Sequence, residues 1–139
     1  MIKIFFYIFP LLIIFTFPGN SFSCATNSLG YVKCSKFPGG GAAVDSLGYV
    51  KCGKGTCVVN SLGYVKCSKF PGGGTAVDSL GYVKCGKGAC VVNSLGYVKC
   101  SKQSGGGAAI DSLGYVKCSG GCESGNTSYC ESASTSYCE

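Results

Sequence analysis

The side chains with chemistry to offer in this chain are cysteine, lysine and tyrosine, and they recur together. Ser-Leu-Gly-Tyr-Val-Lys-Cys occurs six times unchanged, at Ser28–Cys34, Ser46–Cys52, Ser61–Cys67, Ser79–Cys85, Ser94–Cys100 and Ser112–Cys118. The 139 residues include 12 cysteines and no histidine. An even, regularly spaced set without histidine points to disulfides. Zinc sites usually show Cys-x2-Cys with histidine, and the closest spacings here are Cys118-x3-Cys122, Cys52-x4-Cys57 and Cys85-x4-Cys90. No metal or other cofactor is expected. Catalysis has little to start from. The common general base is missing, and no Ser or Cys has an evident activating partner. An active site needs different groups converging on one point, whereas this chain repeats the same groups six times. The Gly-Gly-Gly runs at 39–41, 72–74 and 105–107 do not lead into Gly-Lys-Ser/Thr and a helix, so they read as connectors rather than phosphate loops. The expectation is a non-enzyme.

The elements that position these groups follow from the repeat. The residue before each copy alternates: Asn27, Asp45, Asn60, Asp78, Asn93, Asp111. Copies start 18 and 15 residues apart in alternation, which makes a 33-residue unit with two unequal halves. Three units span 24–56, 57–89 and 90–121. Glycine is too frequent and helix formers too rare for helical repeats. Asn or Asp followed three residues later by Gly is the signature of a type I turn closed by a left-handed glycine, the three-residue hairpin loop. Tyr and Val favour the flanking strands. With the turn at Asn60–Gly63, Val59 faces Val65 and Cys57 faces Cys67. The same register sets Cys24 opposite Cys34 and Cys90 opposite Cys100, and directly opposed residues suit a cross-strand cystine. In the Asp-type hairpins Ala42, Thr75 and Ala108 face Cys52, Cys85 and Cys118. The predicted cystines are therefore Cys24–Cys34, Cys57–Cys67 and Cys90–Cys100. A rival scheme, Cys52–Cys57 with Cys85–Cys90, claims the same cysteines and is excluded if these form. Six spare cysteines remain to join units, tie down the tail or link chains, with Cys130–Cys138 the expected local pair.

Side chains alternate across a strand, so Tyr and Lys of each heptapeptide share a face. Tyr31, Lys33, Tyr49, Lys51, Tyr64, Lys66, Tyr82, Lys84, Tyr97, Lys99, Tyr115 and Lys117 form a candidate multivalent binding face. The competing and preferred expectation is that the tyrosines pack between neighbouring hairpins. Large apolar residues are few in each unit, so burial alone leaves the array marginal, and disulfides at roughly 2–4 kcal/mol each decide whether it folds. The fold expected is all-β: tandem disulfide-linked hairpins, stacked as a solenoid or strung as beads, with a flexible polar tail.

The ends differ in kind. Residues 1–23 carry Lys3, an apolar run from Ile4 to Phe17, a Pro18-Gly19-Asn20 break and Ser21-Phe22-Ser23. This reads as a signal peptide cut before Cys24, the run falling short of the ~20 residues that span a bilayer. Residues 122–139 repeat with period eight and are rich in Ser and Thr, and Asn126-Thr127-Ser128 is a glycosylation sequon there. The formal net charge is +6 with no arginine. All three glutamates lie in the tail, which leaves the repeats basic. Nucleic acid is not the expected partner, nor is a membrane once the leader is removed. An unidentified extracellular protein or a polysaccharide fits better, and inter-chain disulfides leave oligomers open. The bland alternative is that the lysines keep a repetitive surface soluble.

The Asp-Ser-Leu-Gly-Tyr-Val-Lys-Cys-Gly-Lys-Gly blocks and Lys-Phe-Pro-Gly-Gly-Gly segments, behind an Ile/Phe/Lys-rich leader, resemble the secreted, repeat-containing avirulence proteins of root-knot nematodes. These are effectors made in the amphids, the anterior sensory organs. The resemblance implies a protein released into plant tissue. Members have been compared with plant CLE peptide hormones. Ser35-Lys36-Phe37-Pro38-Gly39-Gly40-Gly41 shares the central Pro-Gly-Gly but lacks the leading Arg and closing His-Asn of those hormones, and the third unit has Gln103-Ser104 in place of Phe-Pro. The function expected is a secreted interaction protein of the host–parasite boundary. The alternatives are a structural matrix or cuticle component and a precursor of short signalling peptides.

Overall fold

The computed structural model describes residues 22–139, so the expected leader lies outside the described residues except for Phe22 and Ser23. Six hairpins follow one another. The first joins β1 (Cys24–Thr26) to β2 (Val32–Cys34), and the second joins β3 (Ala42–Val44) to β4 (Val50–Cys52). The third joins β5 (Cys57–Val59) to β6 (Val65–Ser68), and the fourth joins β7 (Thr75–Val77) to β8 (Val83–Cys85). The fifth joins β9 (Cys90–Val92) to β10 (Val98–Ser101), and the sixth joins β11 (Ala108–Ile110) to β12 (Val116–Cys118).

One turn chemistry builds all six. In the third hairpin the Asn60 N–H donates to the Tyr64 carbonyl at 2.8 Å, and the Gly63 N–H donates to the Asn60 carbonyl at 3.0 Å. Asn60 Oδ1 accepts from the Leu62 and Tyr64 N–H groups at 3.0 and 2.9 Å. Asp78 Oδ1 accepts from Leu80 and Tyr82 at the same distances. Only the oxygen is used, which is why Asn and Asp alternate at this position without changing the turn. Gly63 sits at φ +86°, where a side chain is strained. The register that follows is the one the turn dictates: Cys57 opposite Cys67, Val59 opposite Val65, and Thr75 opposite Cys85.

Neighbouring hairpins stack through their turns. The N–H groups of Ser28, Ser46 and Ser79 donate to the Gly48, Gly63 and Gly96 carbonyls of the next turn, each at 3.0 Å. The sheets stay separate, four of two strands and two of three. The array is therefore a stack of small sheets, not one continuous sheet, and no barrel closes among the described residues. Its core is thin. Val50, Val65, Val83 and Val98 are nearly buried, and Cys52, Cys67, Cys85 and Cys100 are wholly so. Glycine makes that density possible. A Cβ on Gly53 would strike the Cys67 side chain, and one on Gly86 would strike Cys100. Ser35 and Ser68 are buried beside these cystines, and their hydroxyls donate to the Gly53 and Gly86 carbonyls at 2.9 Å. Each also accepts from the N–H of the Phe two residues on.

The first hairpin opens on the Cys24–Cys34 pair, and one further backbone bond lies just outside it. The Ser23 carbonyl accepts from the Ser35 N–H at 2.9 Å, as those of Thr56 and Ala89 accept from Ser68 and Ser101 at 3.0 Å. Ser23 thus holds the place before the first hairpin that Thr56 and Ala89 hold before the third and fifth.

The polar tail is bonded to the repeats along its length. β13 (Cys122–Ser124) pairs antiparallel with β10, and β14 (Cys130–Ser132) pairs antiparallel with β6. Single bridges add Asn126 to Cys85, Ser134 to Cys52 and Cys138 to Ser35. Two 3-10 turns, Thr127–Tyr129 and Thr135–Tyr137, separate these contacts. The tail is a strap that runs back from the fifth hairpin to the first. One octapeptide of the strap spans one 33-residue unit of the stack.

This strap corrects one expected pairing. Cys24–Cys34, Cys57–Cys67 and Cys90–Cys100 close the Asn-type hairpins, with Cα separations of 3.9, 4.0 and 4.0 Å. Cys130 does not bond Cys138. It bonds Cys85, while Cys138 bonds Cys52 and Cys122 bonds Cys118. Strand pairing is the reason. It sets each strap cysteine beside the spare cysteine of an Asp-type hairpin, while the turn at Thr135–Tyr137 carries Cys138 on to the next unit.

Candidate functional site

The turns line up at one end of the stack, and the large side chains there face outward. Tyr31, Tyr49, Tyr64, Tyr82, Tyr97 and Tyr115 are 59–66% exposed, so the expectation that they pack between hairpins is corrected. The physical reason is local. The residue after the left-handed glycine begins the returning strand at the rim, and the inward position passes to the following Val, buried at Val50, Val65, Val83 and Val98. Space between stacked hairpins is filled by Val, Ala, Gly and cystine, which leaves no room for a ring.

The leucines of the heptapeptide join this surface. Leu29, Leu47, Leu62, Leu80, Leu95 and Leu113 are 73–79% exposed at the turn tips. The sequence reading passed over them, although a Leu inside a four-residue turn has nothing to pack against and the turn assignment itself carried that signal. Leu62, Leu80 and Leu95 share shallow clefts with Tyr82, Tyr97 and Tyr115 of the following hairpins. Between the third and fourth hairpins the cleft holds about 290 Å³ and is lined by Leu62, Lys66, Tyr82 and Val83, with Thr127 of the strap.

The lysines on this face are not equivalent. Lys66 and Lys99 donate to the strap hydroxyls of Ser132 and Ser124, at 2.8 and 2.9 Å. Lys33, Lys84 and Lys117 line the clefts. Lys51 is half-buried on β4, opposite Ala43.

The connector end is different. Phe37 meets Tyr137 edge to face at 5.0 Å, and Phe70 meets Tyr129 in the same way. Lys54 and Lys87 lie over the two Phe rings at 5.9 Å. In the third unit Gln103 replaces Phe, and Gly121 stands where the strap would supply Tyr, accepting from the Lys102 N–H as Tyr129 accepts from Lys69. Phe and Tyr are thus lost together.

Asn126 is exposed. Its Oδ1 accepts from the Ser128 N–H and lies 2.8 Å from the Ser128 hydroxyl. Among the described residues no group of His, Cys, Asp and Glu is arranged to hold a metal.

These features define a class: a cystine-locked stack of β-hairpins with a repeated Leu/Tyr/Lys surface at its turn end. Six disulfides within one small chain are typical of extracellular proteins. No helix of the described residues is long and apolar enough to cross a membrane. Comparison with protein-family models, with curated proteins and with solved structures gives no match.

Proposed function

We propose that this is a secreted, non-enzymatic interaction protein that acts at the boundary between a plant parasite and its host. One observation carries the interaction reading: a rigid scaffold holds six leucines and six tyrosines in the open. Exposed apolar side chains gathered on one end of a small protein mark a contact surface. Repeating them six times suits a partner that is itself repetitive or large. The effector role rests on the resemblance of the Asp-Ser-Leu-Gly-Tyr-Val-Lys-Cys-Gly-Lys-Gly blocks to the root-knot nematode avirulence proteins. Secretion through the expected leader agrees with the cystine content.

The geometry favours this reading over the two alternatives. A cross-linked matrix protein would keep cysteines for its neighbours, but all 12 pair within the chain. A peptide precursor would hold its release segments loosely. Here Phe37 and Phe70 of the Lys-Phe-Pro-Gly-Gly-Gly segments are clasped by strap tyrosines.

Antibody labelling of roots infected by the parasite tests the proposal. The protein should appear outside the parasite, in the host tissue at the feeding head. Retention inside parasite cells, or incorporation into an insoluble cuticle, would refute it.

A further inference from the structure

The turn-end clefts repeat one set of side chains. Leu80, Lys84, Tyr97 and Val98 line a cleft of about 500 Å³ between the fourth and fifth hairpins. Leu95, Lys99, Lys117, Tyr115 and Val116 line one of about 520 Å³ between the fifth and sixth. Lys33, Tyr49 and Val50 line a smaller one, about 180 Å³, between the first and second, with Thr135 of the strap. With the cleft at Tyr82, each therefore offers an aromatic face, at least one ammonium group and a strap or turn hydroxyl.

We propose that this row of clefts binds a linear acidic polysaccharide of the polyuronate type. The inference names the partner of the surface proposed above and rests on that reading. Charge complementarity supplies the first argument. Every one of the four clefts contains Lys, and only two carboxylates line any of them. Asp78 has Oδ1 committed to the Leu80 and Tyr82 N–H groups, and Glu123 touches the last cleft alone. The side-chain types supply the second. A tyrosine face stacks on the C–H face of a pyranose while its hydroxyl reaches water or sugar. Lys is a compact point charge suited to single carboxylates, and the arginine fork that grips phosphate is missing throughout. Periodicity supplies the third. A polymer with one carboxylate per sugar meets a protein with four such clefts along its turn end, three of them between successive hairpins from the third to the sixth, and weak contacts on one chain sum to strong binding through effective concentration.

The test uses the full oxidised protein, sodium polygalacturonate and the same polymer fully methyl-esterified, compared by affinity electrophoresis and titration calorimetry. Each variant is first checked for its six cystines. The native protein should bind the polyuronate, and should bind the neutral ester at least about tenfold more weakly. Lys33→Gln/Lys84→Gln/Lys117→Gln should lower the affinity about tenfold or more, while Lys36→Gln/Lys69→Gln/Lys102→Gln, which removes equal charge at the connector end, stays within about twofold. Tyr82→Ser/Tyr97→Ser/Tyr115→Ser should weaken binding at unchanged net charge. No binding, equal binding of acid and ester, equal losses from the two lysine triples, or full affinity in the tyrosine triple each overturns the inference. Failure here with the protein still found in host tissue leaves the interaction role standing and removes only this partner.

Discussion

Phe70 and Tyr129, 59 residues apart in the chain, meet edge to face at 5.0 Å with their rings at 90°. The contact ties a connector to the strap, and it vanishes as a pair in the third unit. The two rings should therefore be energetically coupled. A double-mutant cycle of Phe70→Ala and Tyr129→Ala, read by denaturant unfolding with disulfides intact, should give a coupling of about 0.5–1.5 kcal/mol. Additive losses would mean that the rings share space without interacting.

Non-reducing peptide mapping should find Cys85 linked to Cys130 and Cys52 linked to Cys138. Cys130→Ser should then expose one thiol, on Cys85, and cost about 2–4 kcal/mol. The three hairpin cystines should be unaffected. A Cys130–Cys138 peptide as the main product would remove the strap as drawn here.

Ser68→Ala should destabilise the protein by about 1–3 kcal/mol, because the Gly86 carbonyl and the Phe70 N–H lose a buried partner. Gly53→Ala should do at least as much damage, since its methyl group meets the Cys67 side chain. Thermal unfolding of the oxidised variants checks both. A tolerated alanine at position 53 would show that the stack has slack the structure does not display.

Deleting Cys57–Ala89 alone should give a scrambled product, because it removes Cys85 and strands Cys130. Deleting Cys130–Tyr137 as well should restore a stable four-cystine protein with two units and a strap one octapeptide shorter. The readout is the disulfide map and resistance to proteolysis. Equal behaviour of the two deletions would show that strap and stack are not matched unit for unit.

The hairpins were legible in the sequence because their information is local. Asn60, Gly63 and the valines around them set turn, register and the facing of Cys57 by Cys67 within eleven residues. The strap was not legible for the opposite reason. The partners of Cys130 and Cys138 lie 45 and 86 residues away, and a Ser/Thr-rich tail carries no apolar pattern to place it. A signal was present all the same. Three spare cysteines recur every 33 residues, three tail cysteines recur every eight, and equal numbers at regular steps fit one-to-one pairing better than Cys130–Cys138. The tyrosines depart from the expected packing between hairpins because position in the turn decides their exposure.

The strap also sets an order of events during synthesis. It is made after all six hairpins, yet it holds the partners of Cys52 and Cys85. Cys24, Cys57 and Cys90 each meet their partner ten residues later, so those hairpins can oxidise as they emerge. Cys52 and Cys85 must wait for partners 86 and 45 residues further on, and in that interval each can form wrong pairs with other cysteines already made. Yield in an oxidising compartment will therefore depend on an isomerase that keeps reopening premature cystines. Supplying the strap in trans as a separate peptide should shorten that wait.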